Sequence, residues 1–265
     1  MSRTALILSS GRTGTQFLAE YFNANFDGVV ALHEPKPSRS MRLASHAHMA
    51  GALPRGALVR LLRRKRRRYI DPIQAELYIE SNPFLAGFVR VLDQVFEGPT
   101  LIHVVRDPRE QVRSSLNHGT GSGAKGLADR FVPYWYPDVQ KLLQLGTVSG
   151  WLGRAAGLWT LINRELGEGV AAYSDYHVFK FEDIFDAASS ELRALCAALG
   201  LDHRASRQVV SPSTRINRSR LDRMPPWREW TPAQCAELNR ICSPLMREYG
   251  YGTEPEWLER VSAGG

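Results

Sequence analysis

Residues 4–22, TALILSSGRTGTQFLAEYF, restrict the fold more than any other stretch of the chain. The run ALIL is too short for a core helix and ends in a glycine turn, so it reads as a strand buried on both faces. Past the turn, Phe17, Leu18, Tyr21 and Phe22 fall at helical spacing. A strand buried on both faces needs parallel neighbours and helical crossovers, because these cover both sides of a sheet. The loop between, SSGRTGTQF (9–17), looks like a phosphate loop: small residues let an anion approach the backbone N–H groups at a helix start. It is not a Walker A loop. The G-x-x-x-x-G-K-[S/T] spacing is compressed, and the charge is Arg12 where that motif has lysine.

The rest of the chain supplies the neighbours. VVALHE (29–34), the end of DPIQAELYIE (71–80), PTLIHVVRDP (99–108) and YHVFKFEDI (176–184) read as strands. Helices are expected over 14–25, 84–96, 108–119, 151–166, 189–201 and 231–250, and at the start of 71–80. Pro108 suits a first helical position, Thr231 an N-cap, and Gly119, Gly200 and Gly250 helix stops. Residues 36–70 are irregular or helical. Strands alternating with helices predict an α/β fold of three layers, P-loop-like, with a central parallel sheet flanked by helices. One domain is expected over 1–265.

Composition narrows the classes. With 43% hydrophobic and 23% charged residues the chain has the makeup of a globular domain. No apolar run reaches the length of a membrane span, and MSRTALILSSGRTGT has too short an apolar core for a signal peptide, so a cytoplasmic protein is expected. Cys196, Cys235 and Cys242 show no metal or C-x-x-C spacing and read as reduced, mostly buried thiols. The net charge of +7 favours anionic ligands. Much of it sits in RLLRRKRRR (60–68), either a solvated basic face or a contact for an acidic partner or membrane surface. No specific nucleic-acid partner is expected.

A second motif, VRDPREQVRSSLNHG, places Arg106 at the end of an expected strand and Ser114 eight residues on, inside the next helix. A guanidinium at a strand's carboxyl end and a hydroxyl about two helical turns later can meet on one anion. An Arg106–Asp107 ion pair capping a turn is the plainer alternative. Together, G-R-T-G-T after the first strand and V-R-D-P-R with its following serine resemble the sulfotransferase superfamily, whose members use 3′-phosphoadenosine 5′-phosphosulfate (PAPS). Arginine in the first loop is similar to carbohydrate-type and bacterial members. WTLINREL followed by YHVFKFEDIFDAASSELRALCAALGL, and the closing WREWTPAQCAELNRICSPLMREYGY, look like the family's later segments. Residues 36–70 and 120–150 match nothing recognisable.

The resemblance implies roles. Gly11, Arg12, Thr13, Gly14, Thr15 and Gln16 would hold the 5′-phosphosulfate, and Arg106 and Ser114 the 3′-phosphate. Arg215, Asn217 and Arg218, in TRINRSR (214–220), match the family's late basic loop. Sulfuryl transfer needs an in-line attack, charge stabilisation on the leaving phosphate and a base for the acceptor, but no metal. Arg12 is the candidate electrostatic clamp. Glu34, at the expected end of the second strand, is the candidate base. His33 is the alternative base, since imidazole titrates near neutrality; strand alternation should turn only one of the two toward the site. A carboxylate paired with arginine or lysine is the plain alternative for Glu34. ESNPF (80–84) stands where many family members have a lysine-containing segment, a departure that leaves the roles of Glu80, Ser81 and Asn82 open. Trp159 and Trp227 read as core. The expected acceptor is a hydroxyl or amine of a small molecule, glycan or glycolipid, among them a lipid-linked sugar. The competing readings are a P-loop nucleotide kinase, which needs a loop lysine and a Walker B aspartate, and a non-catalytic anion-binding protein.

Overall fold

The computed structural model describes residues 2–49, 51–119, 150–186, 189–203 and 221–265. Five strands form one parallel sheet: β1 (Arg3–Ser9), β2 (Val29–His33), β3 (Leu77–Ser81), β4 (Thr100–Val105) and β5 (Tyr176–Lys180). Their order is β2-β3-β1-β4-β5. The chain leaves β1 for β2 and β3 on one side and crosses to β4 and β5 on the other. Connections therefore diverge at the carboxyl end of β1, where open α/β sheets form their ligand crevice.

The chain divides into two compact units. The first, Met1–Val105 with Glu165–Asn217, holds the whole sheet. On one face Ala5, Ile7, Ile79, Ile102 and Val104 pack with α1 (Thr15–Asn25) and a helix at Glu191–Ala198, through Phe17, Leu18, Phe22, Leu195 and Cys196. The other face, with Leu6 and Leu8, meets a 3₁₀ run at Pro83–Gln94 that buries Leu85, Phe88, Val89 and Leu92. Behind that run lie α2 (Ser38–Met49) and α3 (Arg55–Lys65). Leu6, Ile7 and Leu8 are fully buried, and burying each side chain is worth about 1.5–3 kcal/mol. This is the expected three-layer arrangement, with helical layers on both faces of a parallel sheet.

The second unit, Arg106–Arg164 with Arg218–Gly265, is helical in its described residues. It contains α4 (Pro108–Asn117), most of α5 (Gly150–Gly169), and two closing helices, Pro232–Glu248 and Pro255–Ala263. Asp107 caps α4 by accepting from the Arg109 N–H at 2.8 Å. Arg109 is buried between the rings of Trp227 and Trp257, 4.6 and 5.0 Å away, and forks onto Asp107 and Glu254. Thr231 and Gln234 form a capping box. Trp159 and Trp227 are core, and the three cysteines are free and buried.

Four segments differ from the sequence reading, one of them the closing helix Pro255–Ala263, which that reading does not include. Residues 71–76 form a turn and extended chain where a helix is expected. Asp71 itself still has helical angles, but a π-helical turn at Arg66–Ile70 closes the preceding helix there, and Pro72 has no N–H with which to continue it. Where an α-helix is expected over 84–96, Pro83–Gln94 is 3₁₀: the stretch is apolar on most sides, so its periodicity does not separate the two. β5 stops at Lys180, and a short helix, Phe181–Phe185, takes over the FEDI end of the expected strand.

Candidate functional site

The loop after β1 is built from left-handed backbone. Gly11, Arg12 and Gly14 have φ of 85°, 56° and 69°. Left-handed residues alternating with ordinary ones, as Arg12 and Gly14 do about Thr13, can turn successive N–H groups toward one side, as in an anion nest. A Cβ on Gly11 would meet nothing within 4 Å, so the loop is open there. One on Gly14 would fall 2.5 Å from the Phe185 ring, so α1 starts tight against that aromatic. Gly14 is the N-cap of α1, and the first turn carries no acidic residue to occupy its amides. Thr13 is fully buried, and its Oγ1 has no hydrogen-bond partner among the described residues. A buried hydroxyl left this way costs about 1–3 kcal/mol until a ligand or water meets it. The side chain of Gln16, by contrast, donates to Glu20 Oε1 at 2.9 Å along the helix surface.

β3 ties this loop to the end of β2. Ser81 is fully buried, and its hydroxyl donates to the Thr15 carbonyl at 2.8 Å. Its own carbonyl accepts from the Glu34 N–H at 3.2 Å and lies 3.1 Å from His33 Nδ1. Beyond His33 the strand ends, and Glu34 turns to φ 42°. The alternation expected to separate His33 from Glu34 therefore breaks: His33 Nε2 stands 3.7 Å from Glu34 Oε1, with both side chains about one-third exposed or less. Among the described residues, Arg12 and Glu34 are the two non-glycine residues with positive φ. Left-handed backbone costs an L-residue about 1–2 kcal/mol, and such strain concentrates at functional sites.

The ESNPF segment acquires roles that the sequence leaves open. Glu80 is fully buried and ion-paired with Lys65, with Tyr78 Oη and Asn82 Nδ2 donating to it at 3.2 and 2.9 Å. Burial, then the Glu80 charge, pushes the Tyr78 phenol well up and keeps it a neutral donor. The Asn82 side chain caps the 3₁₀ run by accepting from the Phe84 N–H, and the Asn82 backbone N–H donates to the Ile7 carbonyl. Lys65 thus leaves the basic face that the sequence assigns to 60–68. Arg63 and Arg66 reach the carbonyls of Gln94 and Val95, whereas Arg60, Arg64 and Arg67 are exposed.

The structure therefore brings together, within the first unit, the loop from Gly11 to Thr15, the His33–Glu34 pair and Ser81. Arg106 and Ser114 belong to the second unit. Arg106 follows directly on β4, and its carbonyl accepts from Trp159 Nε1 at 2.9 Å. Ser114 is half-buried on α4, and its carbonyl accepts from the His118 N–H at 3.0 Å. Arg215, Asn217 and Arg218 lie outside the described residues. Ser81 and Lys65 are the members of the constellation to which the sequence gives no role. Lys65 has a signal, since it continues the buried stripe of Leu58 and Leu62 at i+3.

A family model described as the sulfotransferase family matches residues 5–205. Among solved structures, the chain is similar to the sulfotransferase domain from the curacin biosynthetic pathway, with 15% identity, a TM-score of 0.50 and coverage of 99% of this chain and 97% of that one. A second is the sulfotransferase domain of the Synechococcus PCC 7002 olefin synthase, with 16% identity, a TM-score of 0.43 and coverage of 99% and 94%. No curated protein matches the chain. Among the described residues no helix is long and apolar enough to cross a membrane.

Proposed function

The chain belongs to the sulfotransferase family, and from that premise we propose that it moves the sulfuryl group of PAPS to a hydroxyl of a carbohydrate, lipid-linked sugar or small metabolite. The observation that carries this reading is the placement of strain. The two left-handed non-glycine residues of the described chain are Arg12 and Glu34, the clamp and the base that the chemistry requires. The loop also fits the donor. Its nest, the open space at Gly11 and the buried Thr13 hydroxyl suit a phosphate oxygen, with Arg12 adding a planar donor fork.

When bound, PAPS supplies a sulfuryl group on a phosphate leaving group. The protein's part is positioning and charge. The amides of Gly14 and Thr15 and the guanidinium of Arg12 face the charge that develops on the leaving phosphate, and such donors are each worth about 10²–10³ in rate. Arg12 stays protonated, so it acts as a clamp and not as an acid. Glu34 takes the proton of the attacking hydroxyl. Arg106 and Ser114 hold the 3′-phosphate and so set the preference for a 3′-phosphorylated nucleotide.

Calorimetry with 3′,5′-ADP, 5′-AMP and ATP–Mg²⁺ tests this reading. Tight, metal-independent binding of 3′,5′-ADP, weakened toward the 5′-AMP affinity by Arg106→Ala, is expected. Preference for ATP–Mg²⁺ would refute it and favour a kinase, and unchanged binding in Arg106→Ala would remove that residue from the site.

A further inference from the structure

The His33–Glu34 arrangement answers the question of which residue is the base in a way that neither residue does alone. The Ser81 carbonyl can only accept, so its 3.1 Å contact with His33 Nδ1 requires the proton to sit on Nδ1. In a neutral ring the lone pair is then on Nε2, the atom 3.7 Å from Glu34 Oε1. Two acceptors face each other at a separation longer than a hydrogen bond, which a proton placed between them would draw together. The same carbonyl accepts the Glu34 N–H at 3.2 Å, so one atom holds both the ring and the turn that carries the carboxylate. The left-handed backbone at Glu34 is what folds its side chain back beside the imidazole, since an extended residue there would point away. Ser81 in turn is anchored to α1 through its hydroxyl.

Building on the sulfotransferase reading, we propose that Glu34 and His33 act as one base, with the Ser81 carbonyl fixing the imidazole tautomer so that the proton taken from the acceptor comes to rest on His33 Nε2. The acceptor oxygen forms its bond to sulfur while the bond from sulfur to the bridging phosphate oxygen breaks, and that electron pair leaves with the phosphate. The acceptor's proton passes to Glu34 and on to Nε2. The product is an imidazolium that donates from Nδ1 to Ser81 and from Nε2 to the Glu34 carboxylate, and the proton then departs to water. Glu34 is the catalytic residue. His33 acts through it as a proton-holding residue, and Ser81 as a positioning residue.

The tautomer is read without any ligand. Nitrogen-15 NMR of the His33 ring in the whole protein, at a pH where the ring is neutral, should show the proton on Nδ1. A neutral ring protonated on Nε2 would overturn the proposal. A second arm follows sulfate release from PAPS with water as the acceptor, in His33→Gln, Glu34→Gln and the double variant. Residues that work as a unit lose activity non-additively. Each single change should lower turnover at least about tenfold, and the double change should be within about threefold of the worse single one. All three should bind 3′,5′-ADP as the parent does. A double variant whose loss is the product of the two single losses would show two independent groups and overturn the pair. Failure of the parent protein to bind 3′,5′-ADP would count against the PAPS reading itself, and the tautomer would still decide the pair.

Discussion

Glu34 carries a φ of 42°, and the cost of that angle can be separated from the value of its carboxylate. Glu34→Ala and Glu34→Gly both delete the carboxylate and its approach to His33, so the difference between them reports the backbone alone. Alanine keeps a left-handed conformation that costs an L-residue about 1–2 kcal/mol. Glycine adopts it freely but loses about 0.4–1 kcal/mol through the greater freedom of its unfolded chain. The balance leaves Glu34→Gly more stable than Glu34→Ala by roughly 0.5–1 kcal/mol, the reverse of the order at an ordinary extended or helical site. For a chain of this size that is a Tm difference of about 2 °C. Urea unfolding of the two variants side by side gives the sign directly. If the alanine variant is equally or more stable, Glu34 is not strained and the argument from strain to function fails. Both variants should lose sulfuryl transfer to the same extent, because the strained backbone serves only to place a group that both lack.

Other residues carry tests of the same kind. Lys65→Ala leaves Glu80 buried without its counter-ion and should cost about 3–5 kcal/mol in urea unfolding, most of it recovered when Glu80→Gln is added. Thr13→Val removes a buried hydroxyl that has no partner among the described residues. It should leave the free protein as stable as the parent or more so, yet weaken 3′,5′-ADP binding by about tenfold or more, the value of a hydrogen bond to a charged group. His46 has its pKa lowered to about 4 by burial and then by Arg42. The unfolded chain therefore binds the proton first on acidification, so stability is full above about pH 6.5 and falls by roughly 3 kcal/mol as the pH drops to 4. His46→Gln should flatten the unfolding free energy measured across that window.

What could be read in the sequence was set by short-range pattern. The buried strands, the glycine loop, Pro108 at the start of its helix and the Thr231 cap follow from neighbours a few residues apart, and they stand where the pattern puts them. Ser81 was not readable because its partners are 66 and 48 residues away. Only the register of β3 between β1 and β2 brings Thr15 and His33 to it. The His33–Glu34 contact was hidden by the same rule that locates strands. Alternation holds while the backbone is extended, and it ends one residue before Glu34. Lys65 was masked by its company: in a run of six basic residues, 63–68, charge suggests solvent, while the helical stripe through Leu58 and Leu62 suggests the interior.

These placements also bear on arginine in the loop, where a Walker A motif has lysine. Lys65 does approach the ESNPF segment, but its ammonium is spent on Glu80 inside the core, so the loop's own cation is Arg12. Arginine cannot give up a proton. On the PAPS reading it has no need to, because the leaving group is a phosphate whose second ionisation lies near pH 6 and can depart at neutral pH without one. Charge stabilisation is all that the leaving side requires. The remaining proton is the one on the attacking hydroxyl, and the groups at the end of β2 are those able to take it. On that reading acid–base chemistry is confined to the acceptor side of the sulfur, the part proposed for Glu34 with His33, whose ring contacts the Ser81 carbonyl.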